Sequence, residues 1–198
     1  MIGDYPQFTD IKFKDEHIEN SRLVSKTFLN CTFEECSYKE TEFISCRFVD
    51  CYFHNCDLSM IRVEDSRFSD IHIRYSKVIG VNWALANWST GLLEGSLSFL
   101  NCALNYSTFL GVPLPGVKII DCVATDVDFR ECNLTKADFT GTDLSESLFH
   151  RTDLTEANLR DAYNYQIDPR NNIVTRTRFS LPEAMSLLYS MDINLEDE

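Results

Sequence analysis

The chain has little positive charge and no long apolar run. Its 18 Lys and Arg residues face 31 Asp and Glu, a net charge of −13, which disfavours binding to nucleic acid phosphates because that binding runs on cations. No apolar run approaches the roughly 18 residues that a membrane span needs, and nothing near Met1 joins positive charge to an apolar segment. The expectation is a soluble, cytoplasmic protein without a membrane or nucleic acid partner. Glycine-rich phosphate loops, nucleophile elbows and paired-histidine motifs are also missing, so no catalytic residue, cofactor or metal is assigned. At 198 residues and 44% hydrophobic content the chain fits one domain with a core.

What it does have is a period of five. From Cys31 to Met60 the first residue of each five is small (Cys31, Cys36, Thr41, Cys46, Cys51, Cys56) and the third is large (Phe33, Tyr38, Phe43, Phe48, Phe53, Leu58). Five fits neither a helix nor a strand, so it marks an internal repeat. The large position extends back through Phe28, Leu23, Ile18 and Phe13 to Phe8, and forward to Trp83, Trp88 and Leu93. Ser98 then falls where an apolar residue is due, and Phe99 opens a register shifted by one that runs to Leu159. The break near residues 91–98 contains Gly91 and Gly95 and is expected to be a bulge or a short helical turn inside one continuous rod. The Gly111–Gly116 segment keeps Val112, Leu114 and Val117 in register and is expected to be a distorted coil.

All 8 cysteines occupy the small position. Their spacing is therefore imposed by the repeat, and they are expected to be buried, reduced wall residues rather than metal ligands. His17, His54, His72 and His150 fall at outward positions and are expected to be surface residues. Glu16 and Lys26 interrupt the small position early, which predicts an irregular cap over residues 1–22. Two repeat segments, 23–97 and 98–163, and a C-terminal region, 164–198, follow. In the last, Ser180 and Glu183 have capping-box spacing, with Pro182 in the first turn. Leu181, Ala184, Met185, Leu187, Leu188 and Met191 follow at helical spacing, so a short amphipathic helix is expected, then a final strand or tail.

The pattern of small, polar, Leu/Phe, polar, polar is plainest in Ala137–Gly141, Thr142–Glu146 and Ala157–Asp161, and it resembles the pentapeptide-repeat proteins. The resemblance implies an all-β solenoid, a right-handed quadrilateral β-helix with four pentapeptides per coil. That gives about eight coils and a rod on the order of 38 Å long at ~4.8 Å per coil. Gly80–Trp83, Asp161–Tyr165 and Arg178–Ile193 further resemble the albicidin-resistance, gyrase-protecting members of that family; the Qnr-like members are a more distant resemblance, since they carry large loops projecting from the rod and no comparable insertion is expected in this sequence. The likeness to this group implies a DNA-mimicking, non-catalytic protein that binds a type II topoisomerase, DNA gyrase, and shields it from albicidin or a quinolone. It also implies a tail-to-tail homodimer through Phe179, Leu181, Met185, Leu188 and Met191. The acidic surface would comprise Asp126, Asp128, Glu131, Asp138, Asp143, Glu146, Asp153, Glu156 and Asp161, with Asp121 also facing outward. The alternative is a non-catalytic scaffold with an unrelated protein partner.

Overall fold

A computed structural model describes residue 2, residues 5–88 and residues 97–196. The chain winds as a right-handed quadrilateral β-solenoid of about 8 turns that ends in one short helix. On either side of one break, ladder partners run parallel and lie twenty residues apart, as in Phe8 with Phe28, Phe28 with Phe48 and Phe48 with Phe68. Four faces result, each one pentapeptide wide. They are termed A, B, C and D here, with Phe8, Phe13, Ile18 and Leu23 as their first central residues. Strands are short because the chain turns once in every five residues; Arg47–His54 and Arg67–Arg74 run on through one corner from face A to face B.

Stacking identical layers fixes what can point inward. Rings twenty residues apart lie face to face: Phe8, Phe28, Phe48 and Phe68 at centroid spacings of 5.2, 4.8 and 5.3 Å. Phe13, Phe33 and Phe53 follow at 4.9 and 4.5 Å. These spacings match the distance between adjacent strands, so columns of rings on faces A and B, with aliphatic and aromatic residues on faces C and D, fill the interior.

The small position does more than let the walls approach. Its side chain points along the axis and donates to the carbonyl of the central residue one coil below. Ser66 Oγ reaches Phe43 O at 2.8 Å, Thr142 Oγ1 reaches Ile119 O at 2.6 Å, and Cys46 Sγ reaches Leu23 O at 3.3 Å. The same hydroxyls accept from the coil below, Cys46 N to Ser66 Oγ at 2.9 Å and Cys122 N to Thr142 Oγ1 at 3.3 Å. Cys, Ser and Thr thus satisfy buried backbone groups between layers. All 8 cysteines are free and buried, and burial pushes the Cys51, Cys56 and Cys132 thiols up to about 12.

The ends and the break differ from expectation. The stretch expected as an irregular cap holds the strands Gln7–Thr9, Lys12–Lys14 and Arg22–Val24, paired in register with the next coil. Glu16 and Lys26 are half-buried at the small position, and Lys26 Nζ escapes to Tyr5 O at 2.8 Å. A long aliphatic stem can leave a site that a short one fills. Across the break, Ile71 pairs with Leu97 and Ile73 with Phe99, a separation of twenty-six. Six residues are therefore inserted, of which a five-residue pattern registers only the remainder. Of the bulge or helical turn expected near residues 91–98, residues 91–96 lie outside the described residues, while Leu97 and Ser98 already belong to the strand Leu97–Leu100. Gly111–Gly116 forms an ordinary coil, with Gly111 N to Arg130 O at 2.9 Å and Gly116 N to Thr135 O at 2.7 Å.

The expected capping box does not form. Ser180 Oγ accepts from Asp161 N at 2.9 Å and Glu183 Oε1 from Asn164 N at 2.6 Å, so both side chains tie the segment to the last coil. Helical structure shrinks to a 3-10 turn, Glu183–Met185, and the helix Ser186–Tyr189. No regular structure follows among the described residues.

Phe28 is fully buried between Phe8 and Phe48; Phe28→Ala should lower stability in urea unfolding by about 3–5 kcal/mol. Thr142→Ala, which strips a buried carbonyl and N–H of their shared partner, should cost about 1–3 kcal/mol, and Thr142→Ser should restore most of it.

Candidate functional site: an acidic face

The fifth residue of almost every repeat has a left-handed backbone, as at Asp10, Asn30, Asp50, Asp126 (φ 55°) and Asp161 (φ 59°). Asp, Asn and Gly tolerate that region best, so the corners draw acids for backbone reasons. Outward strand residues add more. Asp128, Asp138, Asp143 and Asp153 each accept the backbone N–H two residues on, at 3.0, 3.1, 3.1 and 2.9 Å, the Asx arrangement that holds a turn.

Position around the square then decides which charges remain bare. On face C of the second half, Asp143 lies at the centre, with Asp121 and Asp161 along one edge and Asp126 and Glu146 along the other. Glu183 lies beyond, at Asn164. The segments composing this face, 101–106, 121–126, 141–146 and 161–166, contain no Lys or Arg. Burial alone would raise the Asp143 carboxyl, but hydrogen bonds from Ser145 and Asn164 outweigh it and hold the group below the usual range. Its charge therefore persists at neutral pH. Gly141 keeps the column open: a Cβ there would meet Asp121 Oδ1 at 2.3 Å, and its φ of +67° favours glycine as well.

The other five expected acids lie on different faces or edges. Asp128 pairs with Arg130 at 2.8 Å, Glu131 with Arg151 at 3.8 Å and Glu156 with Arg176 at 3.2 Å. Asp138 takes Asn158 Nδ2 at 2.9 Å and neighbours Lys118 in the ladder, and Asp153 neighbours Asn133 and Ile173. The sequence reading missed Glu183, whose place on this face shows only when the chain is written in rows of twenty.

At the C-terminal end, Phe179 pairs with Leu159 and lies 5.7 Å from the Tyr165 ring, so it belongs to the last coil. Leu181 is 81% exposed, Met185, Tyr189, Ile193 and Leu195 are exposed, and Leu188 and Met191 are half-buried. His17, His54 and His150 are exposed, and His72 is half-buried against Tyr52, ring centroids 4.9 Å apart.

The model of the pentapeptide repeat region matches residues 26–97 and 86–159. The chain belongs to the pentapeptide-repeat family. No curated protein matches it in sequence. Among solved structures it is similar to a trypsin-treated form of QnrB1, a plasmid-mediated fluoroquinolone resistance protein, at TM-score 0.60 and 18% identity over 93% of this chain and 99% of that one. It is also similar to HetL, involved in heterocyst differentiation regulation in the cyanobacterium Nostoc, at TM-score 0.50 and 14% identity over 88% of this chain and 87% of that one. At these identities the likeness establishes the shared pentapeptide-repeat fold.

Asp126 and Glu146 sit at like corners of successive coils with φ of 55° and 56°. Replacing both by Asn, which keeps the left-handed preference, should leave the thermal midpoint unchanged or raised, because like charges are removed. Asp143→Ala should instead destabilise by about 1 kcal/mol through the lost turn hydrogen bonds. Thermal unfolding followed by circular dichroism measures both.

Proposed function

We propose that this chain is a non-catalytic DNA mimic that acts in the cytoplasm, binds the basic DNA-binding surface of DNA gyrase and protects the enzyme from a poison such as albicidin or a quinolone. The base-free face C carries this reading. Its acids sit on layers spaced ~4.8 Å apart, Asp126 and Glu146 on adjacent coils and Asp121 and Asp161 two coils apart. Duplex DNA holds one charge per about 1.7 Å, so about 10–15 Å of axis carries about 6–9 charges. Asp121, Asp126, Asp143, Glu146, Asp161 and Glu183 approach that density on a single face. Exposed carboxylates at fixed spacing steer a basic partner and set its orientation. The filled interior argues against catalysis, which needs a concave site with converging polar groups. The fold shared with QnrB1 supports the reading further.

Dimerisation through the C-terminal end would place two acidic faces in line and double the length of the mimic. The exposed apolar group of Leu181, Met185, Tyr189, Ile193 and Leu195 is what such a contact would bury. Phe179 serves the last coil instead of the contact. A scaffold with another protein partner is the second reading, favoured by the same fold in HetL.

In a gyrase supercoiling assay with albicidin or a quinolone, the protein should restore activity and compete with DNA. The triple variant Asp126→Asn, Glu146→Asn, Asp161→Asn should lose at least tenfold in apparent affinity, whereas Asp153→Asn with Glu156→Gln should keep it. Equal loss in both variants, or no protection by the native protein, contradicts the proposal. Leu181→Asp with Met185→Asp should halve the mass seen by light scattering, and an unchanged mass would count against the contact.

A further inference from the structure

Several outward residues that stack across coils pair opposite charges. Arg62 lies over Glu42 at 2.8 Å and Lys77 over Asp57 at 4.0 Å. Arg47 and Arg67 break that pattern: they are ladder partners on face A, and neither makes an ion pair or side-chain hydrogen bond among the described residues. Their carboxylate neighbours in sequence, Asp50, Asp65 and Asp70, sit at corners and form no ion pair with them. Like charges directly opposite across a ladder repel, so in a chain of net charge −13 the bare pair calls for an anion. It also borders a cavity of about 270 Å³ walled by Arg47, Arg67, Ser69, Asn87 and Trp88 over Phe48 and Phe68.

We propose that this cavity is a binding site for a dianionic phosphate group. Two guanidiniums on adjacent coils stand about 4.8 Å apart at their roots, a separation at which each fork can take two oxygens of one phosphate. Ser69 lies at the rim of the cavity and supplies a hydroxyl there. Trp88 is half-buried, and its Nε1 donates to Trp83 O at 2.8 Å, which fixes the indole as a flat wall. An organic phosphomonoester could lay its carbon portion against that wall, whereas inorganic phosphate would use the arginines alone. Face A lies on the side of the rod opposite face C, so this site is independent of the acidic surface and of any gyrase contact.

The test is titration of the full chain at low ionic strength with inorganic phosphate and with phenyl phosphate, read by calorimetry and by fluorescence of the 2 tryptophans. The expected result is saturable binding of one phosphate per chain that weakens at least tenfold in Arg47→Gln with Arg67→Gln and is unchanged in Arg130→Gln. Tighter binding of phenyl phosphate would identify an organic phosphomonoester as the ligand class, and equal binding the free anion. Both exposed arginines can be replaced without touching the core, and circular dichroism checks the fold. Absence of saturable binding, or equal weakening in Arg130→Gln, overturns the site.

Discussion

Everything in this rod depends on layers of one length lying directly over one another. A coil of twenty residues places each side chain on its own counterpart, so every inward residue must fill the same outline as the one above and below. Flat rings meet that requirement at the natural strand spacing. Small hydroxyl and thiol residues meet the other, which is to satisfy the carbonyl and N–H groups that a narrow interior cannot hydrate. Polar links and aromatic columns together set the layer register, and neither alone would.

The same constraint shapes the surface. A chain that turns every five residues needs left-handed corners, and Asp, Asn and Gly supply them. Acidity in this protein therefore has a backbone origin before it has any use. What distinguishes face C is the absence of partners. Elsewhere Arg130, Arg151 and Arg176 neutralise acids of the same kind, whereas Asp143 and its neighbours meet only amides and hydroxyls. The unbalanced arginines of face A are the converse case, since the lattice that sets corners and cores leaves outward strand positions free of backbone constraint.

Much of this was legible in the sequence, and the limits have physical reasons. The period of five identified the inward residues from Phe8 to Leu159, because burial is imposed at every repeat. It could not measure the insertion, since a period reports length only modulo five, and twenty-six against twenty appears as one. The N-terminal cap was misjudged because Lys26 carries its charge out on a long stem. Ser180 and Glu183 have capping-box spacing, yet they cap the last coil, a choice made by tertiary contact that no local pattern records. Among the nine expected acids, Glu131 and Glu156 meet Arg151 and Arg176 only in columns of twenty, which linear spacing does not display, whereas the Asp128–Arg130 pair is local.

Carboxyl footprinting of the protein, labelled by carbodiimide and amine with and without DNA gyrase, tests the central claim most directly. The account predicts that Asp121, Asp126, Asp143, Glu146, Asp161 and Glu183 become protected in the complex while Asp128, Glu131 and Glu156 react as before. Protection centred on the paired acids of the other faces, or no change at any carboxylate, would contradict it.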